Sequence, residues 1–382
     1  MNAFLDHLSA NDNDIYDLII SGKQRLTETV LRDFLRDRGI FCSPEDDREQ
    51  LADYISILPH GYHDVAMIMQ KREPHQRRDK TTSVRLNVLL PMEELKAAAA
   101  EYANEVGSRE RVTHRPAANG SYVVSVAYDE YNRTKTRLLQ REKQDAEIEF
   151  LVQDGQTIVR LPATEKAQRI IATLKNNVER SRKEHILTDA IELIGITSAE
   201  LRSRFFTQLI SQVPGLKLIN VMSLKVSSER SEDGEEDNSL DFDEQDQDQE
   251  GADALMFAAV VHSMHLSGQN LVQSQEYKDL TKRGFYITAI SWRAEIQTEP
   301  PDIIQFEAGF QDRKQGKGFK YSVTGAFRAH KGTHRKTIVP VLEAEKASLF
   351  ASIESTARKI ITELQSVSAG GAAVEGDSDD PL

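Results

Sequence analysis

The chain of 382 residues predicts an α+β fold: a helical N-terminal module, a central α+β domain and a C-terminal antiparallel meander covered by a helix. Three observations carry this. Apolar residues recur at helical spacing at Leu31, Phe34 and Leu35, and again at Leu51, Tyr54, Ile55 and Leu58. Runs such as Val84, Leu86, Val88, Leu90 and Tyr122, Val124, Val126, Tyr128 alternate with the period of half-buried strands. Near the C-terminus, four extended runs follow one another closely and precede the stripe Leu349, Ile353, Ala357, Ile360, Ile361 and Leu364.

The elements follow in order. Thr27 is placed to cap a helix, with Leu26 and Leu31 spaced as a hydrophobic staple and Gly39 closing it. Ser43, Pro44 and Asp46 predict a second helix start, since serine caps, proline tolerates the first turn and an acid favours the positive helix end. Lys71 to Lys80 is basic and polar and reads as a linker. Beyond it come a strand at Val84, a helix over Met92 to Ala103, a strand at Tyr122, and a hairpin joining Ile148–Val152 to Thr157–Leu161 through Asp154-Gly155. Thr164 precedes the helix face Ala167, Ile170, Ile171, Leu174 and Val178. His185 to Gln212 reads as helical and Leu216 to Val226 as a strand, while Ala252 to His265 and Gln273 to Arg283 resume helical character. Extended runs are expected at Phe285–Ile296, Ile303–Phe310, Phe319–Arg328 and Arg335–Val339. The resulting division is a helical module at 1–70, a basic linker at 71–82, an α+β domain at 83–183, a second at 184–366 interrupted by an acidic segment at 229–251, and an acidic tail at 367–382.

Leu31, Leu35, Gly39, Ile40, Leu51 and Ile55 together resemble the helix-extension-helix pattern of SAP-type modules, over residues 25–56 only. That resemblance implies nucleic-acid binding, often through basic residues around the second helix. Here Glu45, Asp46, Asp47, Glu49 and Asp53 surround Arg48.

Bulk composition excludes some classes. The longest apolar stretch, near Leu255 to Val261, is far too short to cross a bilayer, and Met1 to Leu8 has neither the basic flank nor the apolar core of a signal peptide, so a cytosolic chain without membrane partners is expected. Cys42, the single cysteine, cannot form an intramolecular disulfide and is expected as a reduced thiol.

Charge is segregated. The formal net charge is −13, yet twelve acids against the one cation Arg230 fall between Glu229 and Glu250, so the rest of the chain is close to neutral once the acidic tail is also set aside. With only Leu240 and Phe242 as apolar residues, that segment cannot offset its ordering entropy and reads as a disordered spacer or an internal polyanion. Between Arg313 and Leu342 there is no acid, and Arg313, Lys314, Lys317, Lys320, Arg328, Lys331, Arg335 and Lys336 form a candidate phosphate-binding face. Phe319, Tyr321, Val323 and Phe327 are expected on one side of their strand, with Lys320, Ser322, Thr324 and Arg328 on the other.

The leading expectation is a non-enzymatic protein that binds DNA or RNA through backbone electrostatics, as a subunit of a bacterial antiviral defence or nucleic-acid-handling complex. A second reading is an adaptor that recruits a protein through the N-terminal helices or the acidic segment. A third rests on Pro301-Asp302 and Asp312-Arg313-Lys314, the letter pattern of a PD-(D/E)xK nuclease in which two acids hold a divalent metal. His60, His63 and Asp64, and separately His262 and His265, have the spacing of neighbouring ligands but no further residue to complete a zinc set, so no metal site and no catalytic residue is assigned. No P-loop or dinucleotide loop occurs and no cofactor is implied.

Overall fold

A computed structural model describes residues 9–72, 80–117, 120–153, 155–228, 263–267, 271–297, 299, 301–330 and 333–372. Among them the helices and strands run α1 (Asp12–Ser21), α2 (Glu28–Asp37), α3 (Arg48–Ser56), α4 (Tyr62–Arg72), β1 (Thr81–Leu86), α5 (Met92–Val106), β2 (Arg111–Pro116), β3 (Tyr122–Tyr131), β4 (Arg141–Gln153), β5 (Gln156–Pro162), α6 (Glu165–Arg182), β6 (Thr188–Ala190), α7 (Ala199–Gln212), β7 (Leu216–Ser228), β8 (Ser263–Ser267), α8 (Gln275–Lys282), β9 (Phe285–Ile296), β10 (Ile303–Asp312), β11 (Lys317–Phe327), β12 (Ala329–His330), β13 (Thr333–His334) and α9 (Glu343–Ala372). The strand registers given by the structure are all antiparallel, so the class is α+β, with N-terminal helices and a C-terminal meander backed by a helix. No helix among the described residues is long and apolar enough to cross a membrane.

Two compact units divide the chain, and the division does not follow sequence order. The first comprises Met1–Asp79, Met92–Ile148 and Ile170–Ser181; the second comprises Lys80–Pro91, Glu149–Arg169 and Arg182–Leu382. β1 belongs to the second unit, where it is hydrogen-bonded to β5, β6 and β11.

In the first unit α1 to α4 enclose Ile15, Leu18, Leu31, Leu35, Leu51, Ile55, Val65 and Ile68, closed by Leu138 and Leu139 from the β3–β4 connection. Thr27 caps α2 through its side chain and Leu26 and Leu31 are both buried, as the staple requires. The second helix start lies four residues beyond Ser43. Asp47 and Gln50 form a reciprocal capping box at α3, whereas the Ser43 N–H donates to Asp46 Oδ2 at 2.8 Å in a preceding turn. Arg32 holds that turn by donating to the carbonyls of Ser43 and Pro44 at 2.6 and 3.2 Å, and its Nη1 lies 3.6 Å from the Cys42 sulfur. α5 packs on the β2–β3 pair.

In the second unit β9, β10 and β11 form the expected meander; β7 and β8 extend it beyond β9, and β1, β5 and the end of β4 beyond β11. α7 and α9 cover one face. Phe205 and Phe206 of α7 meet Phe310 and Phe319, and Phe350 of α9 meets Tyr321, so aromatic edges and faces interlock across the layer. The 185–212 region is helical only from Ala199. Before it, β6 pairs with β1, and Ile191, Leu193 and Ile196 are buried in irregular chain around a turn at Ile194–Gly195. Ser263 to His265, expected as the end of a helix, fall in strand β8, and among the described residues 335–339 contributes the single bridge Ala326↔Val339. Residues 367–372, expected in the tail, continue α9. The acidic segment 229–251 and the tail beyond 372 lie outside the described residues.

Candidate nucleic-acid interface

The basic residues expected to form a phosphate-binding face stand at the two ends of the β10–β11 hairpin and along β11. Arg313 and Lys314 stand in the turn, with Lys317 and Lys320 at the start of β11. Arg328, Arg335 and Lys336 stand at the far end, while Lys331 lies outside the described residues. Alternation along β11 follows the expected pattern: Phe319 and Tyr321 are buried, whereas Lys320 and Ser322 are half-buried and Thr324 is exposed. Phe327 departs from it, being half-buried under the Arg293 guanidinium at 4.6 Å.

The turn is held from several sides. Asp312 accepts the Gln315 N–H on Oδ1 at 2.8 Å and the Gly316 N–H on its carbonyl at 2.9 Å. Gly316 has φ +66, and a Cβ there would stand 2.7 Å from that of Leu193, whose N–H donates to the Gly316 carbonyl at 2.8 Å. Arg202, itself buried, donates to the Ile196 carbonyl at 2.7 Å and stacks over Tyr286 at 4.9 Å, and the Tyr286 hydroxyl donates to the Arg313 carbonyl at 3.2 Å.

Arg328 is committed internally. It donates to Asp302 Oδ2 at 2.7 Å and to both Glu345 oxygens at 3.0 and 2.6 Å, tying α9 to the end of the sheet. Burial, the largest single influence on Asp302, pushes its carboxyl up. The Ala329 N–H at 2.7 Å and the Arg328 guanidinium outweigh it and hold the group below the usual range. Hydrogen bonds from Arg328 lower Glu345 likewise, and the two acids raise Arg328 in return. This guanidinium is therefore not available to a phosphate without breaking three hydrogen bonds, which corrects its place in the candidate face.

Other carboxylates of the hairpin are matched too. Glu307, beside Ser322 of β11, pairs with Lys80 at 3.0 Å, both side chains being largely buried. Arg313, Lys314 and Lys320 have interactions of their own. Lys317, Arg335 and Lys336 are exposed and have no ion-pair partner among the described residues.

Asp302 and Asp312 do not meet. They bracket β10, and ten steps of about 3.3 Å place them roughly 30 Å apart, whereas two ligands of one cation lie within about 5 Å of each other. The nuclease pattern is thus a coincidence of letters. Among the described residues no group of three or more His, Cys, Asp or Glu could hold a metal ion. Asp64 caps α4 by accepting the Gly61 N–H at 2.8 Å and pairs with Arg38 at 2.6 Å, which depresses its carboxyl; His60 donates from Nε2 to the Ile55 carbonyl at 2.7 Å and stacks on Phe34. His262 lies outside the described residues.

In the helix-extension-helix region, Arg48 turns inward, donating to the carbonyls of Ile19 and Ile20 at the end of α1 and of Leu26 just before α2; desolvation lowers its pKa. The cation that the SAP resemblance places on the second helix therefore caps α1. No protein-family model matches the chain, and no curated protein matches it.

Proposed function

We propose that this protein binds nucleic acid without catalysing a reaction, contacting the phosphate backbone through the ends of the β10–β11 hairpin. The observation supporting this is a charge imbalance built into one rigid element. Asp302, Glu307 and Glu345 are spent on internal partners, while Lys317, Arg335 and Lys336 stay exposed on either end of the same strand pair. Such cations release condensed counterions on meeting phosphates, and position a backbone without reading bases.

The test is a titration of the full chain against a 20-bp DNA duplex between 50 and 200 mM salt. Replacing Lys317, Arg335 and Lys336 together by glutamine should reduce the slope of log K against log salt by about 2.7, at about 0.9 per lost contact, with the melting curve unmoved. An unchanged slope in a folded variant sinks the reading.

An adaptor reading has an observation of its own in the first unit, where Phe41 is 99% exposed between α2 and α3 and Ile57 is 62% exposed just beyond α3. A partner held there would be lost on Phe41→Ser with polyanion affinity unchanged, which separates the two readings.

A further inference from the structure

Resting on the proposed backbone contact, we infer that the ligand is duplex DNA of at least one helical turn, gripped at both ends of the hairpin at once. β11 spans 11 residues, Lys317–Phe327, and Arg328 follows directly. At about 3.3 Å per residue, Lys317 and Arg328 stand roughly 35 Å apart. The Arg335 N–H donates to the Arg328 carbonyl at 3.0 Å, so Arg335 and Lys336 mark that far end. One turn of B-form DNA brings the same groove face round after about 34–36 Å. The two exposed cationic ends therefore match the repeat of a duplex lying along the strand.

The spacing is fixed before any ligand arrives. At the near end the turn is locked by Asp312, by Leu193 against Gly316, and by Tyr286 and Arg202 on the Arg313 carbonyl, the last at 3.2 and 3.5 Å. At the far end Asp302 and Glu345 clamp Arg328. Between them Tyr321 and Phe319 root β11 in the core. A rigid pair of contacts engages its second site without the ordering cost that a flexible arm incurs. Along the way Thr324 is exposed and Ser322 half-buried, supplying hydroxyls of the kind that meet phosphate oxygens. Glu307 beside them is offset by Lys80.

Binding of the full chain to a hairpin-capped 7-bp DNA duplex and to a 20-bp duplex tests this, each titrated between 50 and 200 mM salt. The short duplex reaches one end only. The long one gains at least one further phosphate, so its salt slope should be steeper by about 0.9, an additional loss of roughly 3.5-fold over that range. Lys317→Gln should remove the difference between the two lengths. Equal slopes for both lengths, or a difference that survives Lys317→Gln, would overturn the two-ended grip while leaving backbone binding intact. Binding that does not respond to salt at either length would overturn both. A 20-bp RNA duplex, with its A-form grooves, should show the shallower slope, and an equal one would overturn the assignment to B-form DNA.

Discussion

Glu354 offers the sharpest test of how the second unit is held together. It lies on α9 with its side chain 5% exposed, and accepts from Arg160 Nε at 2.7 Å, from Arg160 Nη2 at 3.1 Å and from the Tyr321 hydroxyl, so three elements converge on one carboxylate. Burial works against the Arg160 charge, but the hydrogen bond and charge of Glu354 outweigh it and raise its pKa. Glu354→Ala leaves that guanidinium, 7% exposed, with Glu149 at 3.7 Å as its remaining ion-pair partner among the described residues, and leaves the phenol without this acceptor. Removing one member of a buried pair costs about 3–5 kcal/mol, and an orphaned buried hydroxyl about 1–3 more; with Glu149 compensating in part, about 4 kcal/mol is expected. For a unit of this size that lowers the melting temperature by roughly 8–16 °C. Urea unfolding followed by the fluorescence of Trp292 reads it directly, because this is the sole tryptophan and is fully buried in the same core. The combined replacement Arg160→Met, Tyr321→Phe, Glu354→Leu, which strands nothing, should recover most of the loss. A Glu354→Ala variant within 1 kcal/mol of the parent, or a triple variant no better than the single, would refute the reasoning.

Three further outcomes are expected. Burial, reinforced by Glu354, holds the Tyr321 phenol well above its ordinary value of 10.0; its contribution is complete below pH 10 and fades as pH rises further, so Tyr321→Phe should flatten the alkaline limb of a stability–pH curve. Asp302 and Glu345 are depressed from 3.8 and 4.5, so their contribution is complete above those values and fades as pH falls through the lower folded ones. Acid titration of Asp302→Asn should show a weaker dependence below pH 4, and an identical curve would contradict the pairing with Arg328. Gly316→Ala forces both a left-handed backbone and a Cβ 2.7 Å from Leu193, which should cost about 1–3 kcal/mol in a urea melt and weaken duplex binding by displacing the turn; a neutral substitution would show that the turn is not anchored there.

What could be read from the chain and what could not divide along one physical line. Phe319, Tyr321 and Val323 alternate because β11 has one face against α7 and α9, and Ile353, Ala357, Ile360 and Leu364 recur at helical spacing because one stripe of α9 is buried, so local period reports local burial. The stretch before α7 misled for the complementary reason. Ile191, Leu193 and Ile196 have a spacing a helix would tolerate, but the Leu193 N–H is taken by the Gly316 carbonyl and β6 by β1, partners that no window around them contains. The separation of 237 residues between Thr82 and the Phe319 carbonyl it bonds at 2.8 Å explains equally why β1 could not be assigned to the second unit. Ser43 is a cap by residue type, yet Asp47 holds that place because Gln50 answers it from the third helical position.

The same distinction governs the candidate site. Composition marked a cationic stretch free of acids, and it could not separate Arg328 from Lys317, since the acids that claim Arg328 stand 26 residues before it and 17 after. Segregation of charge in sequence is therefore not the quantity that matters for a phosphate; the unmatched remainder after folding is. Asp302 illustrates this from the other side. Written beside Pro301 it resembled a metal ligand, but it accepts one backbone N–H and one guanidinium, and a carboxylate so occupied holds the far end of the hairpin in place. By fixing that end it sets the distance to Lys317, so in the proposed two-ended contact its part is spacing and not metal binding. Asp302→Ala should accordingly weaken the binding of a 20-bp duplex more than that of a 7-bp duplex, a length-dependent effect that the loss of a metal site would not produce.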